Sequence, residues 1–363
     1  MSRRVAIMLP CFWPEVRRGA ERIAWELATG LRARGHSPEI LTSHPGATTR
    51  SVEQGIPVIR NRRPPEGWLR RRGFLEYLTH TPSAYAKLTS GDFEVAHAMH
   101  ASDGVVAGRW SRRTGRPSVL AWMGIPDRAG LTDRRLRLEC TLEAARACTV
   151  VTALSAAAAR AFRRWLDVEA RVIHPGVDLE RFLPGGERTD DPTVYCAAAA
   201  DDPRKGVPLL IEAFGLLRRD LPAARLVLAR PNDDALAGRL AAVEGVSLAD
   251  TSDVAVLANY RSAWAVALPS FGEAFGLVLA EALACGTPVV GTDHGAIPEI
   301  VDRPEIGRLF ARDDARGLAG ALREALELAR DRGTAEACRA RAGDFSAERT
   351  TAAYEALYAE LSG

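Results

Sequence analysis

Residues 267–300 read ALPSFGEAFGLVLAEALACGTPVVGTDHGAIPEI, and this stretch decides the fold. The apolar residues before Ser270 predict a buried strand, and a helix is expected over about residues 275–285. Gly286 follows at the position where a left-handed helix end favours glycine. Residues 289–291 predict the next buried strand. The stretch therefore predicts a strand–loop–helix–strand unit, which is typical of a parallel α/β sheet.

The start of the predicted helix has the chemistry of a phosphate and sugar site. A first helical turn leaves backbone N–H groups unbonded, and with the helix dipole they attract phosphate. These N–H groups belong to Ala274, Phe275, Gly276 and Leu277. Glu273, in the loop, can accept hydrogen bonds from sugar hydroxyls, and Glu281, two turns further on, can bind a vicinal diol such as ribose. Acidic residues near a helix N-terminus are favourable without a ligand too, so both interpretations stay open at this point.

Length and composition place the chain among two-domain globular proteins. A chain of 363 residues is too long for one ordinary core. Its 47% apolar and 26% charged residues are ordinary for a soluble protein. The net charge of +2 conceals an asymmetry, because residues 1–178 carry 28 Lys and Arg against 17 Asp and Glu, whereas residues 179–363 carry 20 against 29. A basic first half favours anionic ligands; mutual attraction of the two halves is the simpler alternative.

Cysteine spacing and hydropathy bear on the compartment. The six cysteines form no C-x-x-C pair and no metal-ligand spacing, which indicates small core residues in a reducing environment. Prolines interrupt the apolar residues 5–13 and no A-x-A cleavage site follows, so no signal peptide is expected. No run approaches the roughly 18 apolar residues of a membrane span. We therefore expect a cytoplasmic protein without a transmembrane segment and without a nucleic-acid partner.

Two successive series of alternating strands and helices follow from the hydrophobic pattern. The first begins with a strand at residues 5–9, a helix at residues 20–34 and a strand at residues 39–42. The second begins with a strand at Thr193. The polar, turn-rich residues 184–191 are the expected linker between them.

Two features of the first half allow more than one interpretation. Residues 60–72 contain six arginines and Trp68 and are expected to form an exposed loop leading into a helix. Such a run is usually a solvated face; contact with an anionic acceptor or peripheral contact with a membrane surface is the alternative. His97 and His100 lie at a strand end, where a structural role is more common than a catalytic one.

Five segments resemble glycosyltransferase family 4, whose members are retaining enzymes of the GT-B fold. The segment from Glu273 to Glu281, with GTPVV from Gly286 and GAIPE from Gly295, is similar to the family's E-x7-E signature. The other four are GAER from Gly19 with LRARGH from Leu31, IHPGVDLERF from Ile173, DPRKG from Asp202, and Phe345-Ser346 with the last helix. The resemblance implies an α/β chain of two Rossmann-like domains that face each other across a cleft. Residues 1–178 would bind the acceptor, residues 179–345 would bind the nucleotide-sugar donor, and a C-terminal helix at residues 346–363 would pack back on the N-terminal domain.

The resemblance also implies roles for the site residues. Glu281 would hold the ribose, Glu273 the sugar hydroxyls, and the amides of residues 274–277 the sugar and phosphates. Lys205, catalytic together with Glu273 and adjacent to Arg204, would neutralise the diphosphate leaving group. Lys205 is one of only two lysines in an arginine-rich chain, which indicates a specific need; a solvated loop lysine is the alternative. No metal is expected, since no D-x-D sequence occurs, and no cofactor beyond the nucleoside-diphosphate sugar that serves as co-substrate.

Three positions depart from the family pattern. Ala199 stands where the family has an arginine six residues before the lysine. Met123 stands where a strand usually ends in a sugar-contacting histidine. In the first loop, Arg18-Gly19 replaces a pair of glycines, and Arg18 is a candidate phosphate ligand there. A charge-assisted contact contributes roughly 1.5–3 kcal/mol, so donor binding is expected to be weaker unless Arg204 or an arginine of the first domain substitutes.

The sequence thus predicts a retaining, metal-independent glycosyltransferase of the hexosyltransferase kind. It would move a sugar from a nucleoside-diphosphate sugar to the oxygen or sulfur of a small polar acceptor, which the basic first half would suit if that acceptor is anionic. A non-catalytic sugar-nucleotide-binding protein and a sugar-nucleotide epimerase of the same fold are the alternatives.

Overall fold

The computed structural model describes residues 2–16 and 19–363. It divides into two compact units, Met1–Gly176 with Ala347–Gly363, and Val177–Ser346. The prediction of an inter-domain linker at residues 184–191 is wrong, because these residues lie inside the second unit. Thr189 ties them there: its N–H donates to the Ser262 carbonyl at 3.0 Å, and its own carbonyl accepts from Trp264 Nε1 at 2.7 Å. A polar, turn-rich composition therefore marks a surface segment here and not a boundary.

The secondary structure alternates between strands and helices in both units. The strands are β1 (Arg4–Met8), β2 (Ser37–His44), β3 (Thr49–Glu53), β4 (Ile56–Arg62), β5 (Val95–Ala98), β6 (Ser118–Trp122), β7 (Val150–Ala153), β8 (Arg171–Val172), β9 (Thr193–Cys196), β10 (Arg225–Ala229), β11 (Val246–Ala249), β12 (Ala265–Leu268), β13 (Val289–Thr292) and β14 (Gly307–Phe310). The helices are α1 (Gly19–Ala33), α2 (Gly67–Arg71), α3 (Thr81–Ser90), α4 (Ala101–Thr114), α5 (Arg128–Thr132), α6 (Arg137–Ala147), α7 (Ala156–Leu166), α8 (Val207–Asp220), α9 (Asp234–Ala241), α10 (Asp253–Ser262), α11 (Leu277–Ala284), α12 (Ile297–Ile300), α13 (Ala315–Leu328), α14 (Arg332–Gly343) and α15 (Ala347–Ser362). Within residues 2–16 and 19–363, no helix is both long enough and apolar enough to cross a lipid bilayer.

The first unit contains an eight-stranded sheet with the order β3-β4-β2-β1-β5-β6-β7-β8. Its pairings are parallel except for the antiparallel hairpin of β3 and β4 at one edge. The chain order reverses between β1 and β5, so that the loops after these two strands diverge. In an open α/β sheet such a reversal leaves a crevice at the carboxyl ends of the strands, where ligands bind.

The second unit contains a six-stranded parallel sheet with the order β11-β10-β9-β12-β13-β14. The reversal of chain order lies between β9 and β12. Every residue of β9 and of β12 is buried, as expected for strands covered by helices on both faces. This places the loop that follows β9 beside the loop that follows β12, which is the stretch quoted at the start.

The arginine-rich residues 60–72 are only partly the exposed loop that their composition predicts. Arg60 belongs to β4, and its guanidinium donates to the Trp13 carbonyl at 2.7 Å and to Glu53 at 2.8 Å. Arg63 is 8% exposed and donates to the Pro10 carbonyl at 3.1 Å. The apolar residues Ile56, Val58 and Ile59 are the strand signal that the arginine count obscured. The helix α2 does follow, and its arginines are exposed.

The last helix, α15, packs on the sheet of the first unit through two tyrosines. His97 Nδ1 and the Tyr358 hydroxyl lie 2.6 Å apart, and the hydroxyls of Thr152 and Tyr354 lie 3.1 Å apart. Burial lowers the pKa of His97 to about 3, so the imidazole is neutral near pH 7. His97 is therefore a structural residue that ties β5 to α15.

Candidate active site

The candidate site lies at the carboxyl ends of β9 and β12, where the second sheet reverses its chain order. After β9 the chain forms a single 3-10 turn, Pro203–Lys205, which ends at Gly206. The Phe271 N–H, in the loop after β12, donates to the Arg204 carbonyl at 2.9 Å. Gly206 has φ +66°, and a Cβ there would lie 2.2 Å from the Pro269 carbonyl oxygen. Glycine is required at this position because the two loops are in direct backbone contact.

Lys205 and Glu273 meet across these two loops. The Lys205 Nζ donates to Glu273 Oε1 in an ion pair, and the two side chains are 29% and 18% exposed. The ammonium carries three N–H donors, so donors beyond the one given to Glu273 are available to a ligand. The two residues that the family resemblance implies to be catalytic are therefore neighbours, although they lie 68 positions apart in the chain.

The helix at the site, α11, begins two residues later than the sequence pattern predicts. Gly276 has φ +104° and precedes α11, whose first residue is Leu277. The N–H groups of Leu277 and Val278 donate to no acceptor in the part of the chain that the structure describes, whereas the Leu279 N–H already donates to the Gly276 carbonyl at 2.9 Å. Phe275 is buried and its ring packs against Phe345 at 5.2 Å. Of the predicted amides of residues 274–277, only that of Leu277 belongs to α11, and within this first turn it is unbonded together with the amide of Val278.

Glu281 lies in the interior of the second unit. Its side chain is 2% exposed, and Oε2 accepts a hydrogen bond from the Tyr260 hydroxyl at 2.9 Å. Tyr260, on α10, is itself 1% exposed. The Tyr195 ring packs against Tyr260 at 5.6 Å, and the Tyr195 hydroxyl is buried with no hydrogen-bond partner in residues 2–16 and 19–363. No local sequence pattern predicts Tyr260 as a site residue, because its contact with Glu281 depends on how α10 and α11 pack.

Two further arginines, Arg204 and Arg312, lie beside the two loops of the site. Arg204 is exposed, and its guanidinium makes a bidentate contact with Asp202, at 3.1 Å to Oδ1 and 2.7 Å to Oδ2. The hydrogen bond from Arg204 lowers the pKa of Asp202, so this carboxylate stays ionised. Arg312, which follows β14, lies 4.9 Å from the centre of the Phe271 ring. The sequence analysis named Arg204 or an arginine of the first domain as a substitute for the arginine absent at Ala199, and it did not single out Arg312.

The corresponding edge of the first sheet carries a different set of side chains. His100 follows β5 and caps α4, its Nδ1 accepting from the Ser102 N–H at 3.3 Å. The Tyr77 ring lies edge-on to His100 at 5.9 Å, and the Arg63 guanidinium lies 5.1 Å from the Tyr77 ring. Arg63 also forms an ion pair with Glu15, in the loop after β1.

Arg18, Gly19 and Met123 were also singled out from the sequence, and no metal site was expected. Arg18 lies outside the described residues, and Gly19 is the first residue of α1. Met123 directly follows β6 and is half-buried. Residues 2–16 and 19–363 contain no group of three or more His, Cys, Asp or Glu side chains arranged to hold a metal ion.

Two family models together match most of the chain. The model described as Glycosyltransferase Family 4 matches residues 17–181, and the model described as Glycosyl transferases group 1 matches residues 191–328. Relatives include D-inositol 3-phosphate glycosyltransferases of Mycobacterium tuberculosis (strain ATCC 25618 / H37Rv) and of Mycobacterium bovis (strain BCG / Pasteur 1173P2). Each is 34% identical over 216 residues, which cover 53% of this chain and 44% of the relative. The match therefore spans less than half the length of these curated relatives.

Solved structures with the same fold match the chain over nearly its whole length. Sucrose-phosphate synthase from Thermosynechococcus elongatus has a TM-score of 0.82 and 21% identity, covering 99% of both chains. HepE from Anabaena, solved in complex with UDP and glucose, has a TM-score of 0.75 and 19% identity, covering 99% of this chain and 100% of that one. At such identities the likeness shows the fold alone, which is GT-B, with two parallel-sheet α/β domains. With both family models matched in chain order, the protein belongs to the family 4 group of glycosyltransferases.

Proposed function

We propose that the protein is a retaining glycosyltransferase that moves a sugar from a nucleoside-diphosphate sugar to a small polar acceptor. The observation that carries the proposal is the ion pair of Lys205 and Glu273 beside the unbonded amides at the start of α11. A cation and two N–H groups suit a diphosphate, and a carboxylate suits sugar hydroxyls. Their position at the reversal point of the second sheet supports the assignment of this unit to the donor.

The proposed reaction breaks the bond between the anomeric carbon and the diphosphate oxygen. A new bond forms from the acceptor oxygen or sulfur to the same face of the anomeric carbon, and the acceptor proton passes to the departing diphosphate. Negative charge grows on the diphosphate as the bond breaks, so the Lys205 ammonium and the amides of Leu277 and Val278 stabilise the transition state more than the ground state. Charge neutralisation is assigned to these groups and not to a divalent cation.

Glu273 and Glu281 receive different tasks in this proposal. Glu273 is partly exposed and holds Lys205, so it can accept hydrogen bonds from the donor sugar while orienting the ammonium. Glu281 is assigned to the ribose, with Tyr260 fixing one of its carboxylate oxygens. Because the Glu281 side chain is 2% exposed, ribose binding requires a local movement that opens this carboxylate to the ligand.

The acceptor is assigned to the carboxyl edge of the first sheet. The curated relatives are named for D-inositol 3-phosphate, a hydroxylated anion. Arg63, Tyr77 and His100 cluster at this edge, and the first 178 residues carry an excess of eleven positive charges. We therefore favour O-glycosylation of a polyol that bears a phosphate.

The test is product formation across a panel of donors. UDP-, GDP- and ADP-sugars are each incubated with inositol phosphates and with free inositol, with and without EDTA, and products are read by mass spectrometry. The proposal expects one donor class to give a glycosylated inositol phosphate at the same rate in EDTA. Absence of product with every donor would favour the alternative of a non-catalytic sugar-nucleotide-binding protein. Such a protein would tolerate Ala199 and Met123 at positions where the family has an arginine and a histidine. Release of an altered sugar without acceptor would favour an epimerase.

A further inference from the structure

A groove of about 420 Å³ opens on the first unit, away from the carboxyl edge of its sheet. Its lining includes Arg4, Glu39, Arg50, Val52, Ile59 and Lys87. Arg4 is the first residue of β1, whose carboxyl end is Met8. At about 3.3 Å per residue, the two ends of this strand lie about 13 Å apart. The groove is therefore distinct from the positions assigned to donor and acceptor.

The floor of the groove lies on β2 and β4, beside the helix α3 that packs on these two strands. In the strand register Ala6 pairs with Glu39, and β2 and β4 run side by side from there. Further along the same face, Leu41 and Ile59 belong to the hydrophobic core. Parallel sheets normally bury apolar side chains under their helices, so a carboxylate on β2 that faces an ammonium on α3 is unusual.

The charges in the groove are incompletely paired. Lys87, on α3, lies 3.7 Å from Glu39 Oε1, which is an ion-pair distance but not a hydrogen bond. This oxygen is buried and has no hydrogen-bond partner in the described part of the chain. Arg4 reaches a carboxylate, Asp92, only at 3.9 Å, and Arg50 forms no ion pair within residues 2–16 and 19–363. Arg4, Arg50 and Lys87 thus place three cations around Glu39, whose Oε1 receives no hydrogen bond from the residues that the structure describes.

These groups would match one kind of small molecule. Arg4, Arg50 and Lys87 present N–H donors and positive charge to an oxyanion, whereas Glu39 Oε1 needs a hydroxyl donor. A volume near 420 Å³ is within the range of small-molecule sites. We propose that the groove binds a hydroxylated phosphate monoester, with the phosphate on the three cations and a hydroxyl on Glu39. A groove that is merely a solvated surface would leave the buried carboxylate oxygen unexplained.

The two lysines of the chain make a direct test possible. The full-length protein is treated with an amine acylating reagent, and the modification of Lys87 and Lys205 is read separately by peptide mass spectrometry. A saturating nucleoside diphosphate is present throughout to occupy the donor site, and glycerol 3-phosphate is the probe. We expect glycerol 3-phosphate to slow the labelling of Lys87 at least fivefold and to leave the labelling of Lys205 unchanged. Unchanged labelling of Lys87 would overturn the proposal.

Binding measurements on variants identify the groups involved. Titration calorimetry should give one saturable site for glycerol 3-phosphate, weakened at least tenfold by Arg50→Gln. Glu39→Gln should weaken glycerol 3-phosphate relative to inorganic phosphate, because only the former offers an alcohol hydroxyl to the carboxylate. Arg113→Gln removes the same charge from exposed surface outside the groove and should have no effect. Equal weakening by Arg50→Gln and Arg113→Gln would reduce the effect to general charge and refute the site. Failure of the nucleotide to protect Lys205 would count against the proposed function alone.

Discussion

The carboxyl edges of the two sheets use different chemistry at the same topological position. In the second unit, the reversal point is built from backbone: Gly206 and Gly276 adopt positive φ, and two N–H groups at the start of α11 donate to no acceptor among the described residues. The pair of Lys205 and Glu273 adds charged side chains that meet across the two loops. In the first unit, the edge is built from large side chains, with Arg63 against Tyr77 and Tyr77 against His100.

This difference indicates what each edge can recognise. Backbone amides beside glycine turns fit a phosphate group closely, whatever is attached to it. Side chains such as Arg63 and His100 discriminate by shape and by hydrogen bonding, which suits the recognition of one particular acceptor. We therefore expect the second unit to bind the diphosphate of the donor and the first unit to select the acceptor. Substitutions in the two edges should then have different consequences.

Glu273→Gln should have the largest effect, lowering kcat by about 100-fold or more. The amide keeps the size of the side chain but loses the charge that holds Lys205 and accepts from the sugar, and donors or acceptors misplaced at a reacting centre cost this much. Steady-state kinetics measure the loss, and circular dichroism shows whether the fold is retained. Glu305→Gln, on the exposed surface of the same unit, is the matched control. Full activity of Glu273→Gln would remove this residue from the mechanism.

Lys205→Met should weaken nucleoside-diphosphate binding by about 10- to 100-fold, since a hydrogen bond to a charged group contributes roughly 1.5–3 kcal/mol. Calorimetric titration of the nucleotide gives the Kd. Arg219→Gln, which removes one positive charge from the exposed face of α8, should leave that Kd unchanged. An equal loss in both variants would mean that overall charge, and not the site, binds the diphosphate.

The stability of the first unit should fall in acid because of His97. Burial holds the pKa of His97 at about 3 in the folded protein, whereas an unfolded histidine titrates near 6.5. The unfolded chain therefore binds an extra proton below about pH 6.5, and the free energy of unfolding decreases by up to about 1.4 kcal/mol per pH unit towards pH 3. Hydrogen exchange of β5 and α15 between pH 7 and pH 4.5 measures this slope. A His97→Gln variant with an undiminished slope would contradict the assignment.

Tyr260→Phe should destabilise the second unit by about 1–3 kcal/mol, because it removes the hydrogen bond to a buried carboxylate. Tyr195→Phe is the matched control, since the Tyr195 hydroxyl is buried and lacks a partner in residues 2–16 and 19–363. That substitution should be neutral or slightly stabilising. Thermal unfolding distinguishes the two. Equal melting temperatures would show that the contact between Tyr260 and Glu281 contributes nothing.

Arg204→Gln should have the smallest effect, raising the donor Kd by less than about threefold. The guanidinium is exposed and already bound to Asp202, and exposed ion pairs contribute about 0–1 kcal/mol. Titration with the nucleotide measures the change. A tenfold or larger loss would instead identify Arg204 as the replacement for the arginine absent at Ala199.

The sequence predicted the strands and helices around the site because apolar runs with clear end signals are local features. The helix from Leu277 to Ala284 lay within the predicted range, and only its start was displaced, since the positive φ of Gly276 is not readable from composition. The hairpin of β3 and β4 was missed because arginines obscured its alternation. Contacts such as that of Tyr260 with Glu281 depend on the packing of two helices, and no pattern of residues within one segment encodes them.

The central claim is that the start of α11, with Lys205, receives the diphosphate of the donor. A crystal structure with a nucleoside diphosphate bound tests it most directly. We expect phosphate oxygens within about 3.2 Å of the Lys205 Nζ and of the backbone nitrogen of Leu277 or Val278. A nucleotide that binds elsewhere, with these three groups still contacting only protein or water, would contradict it.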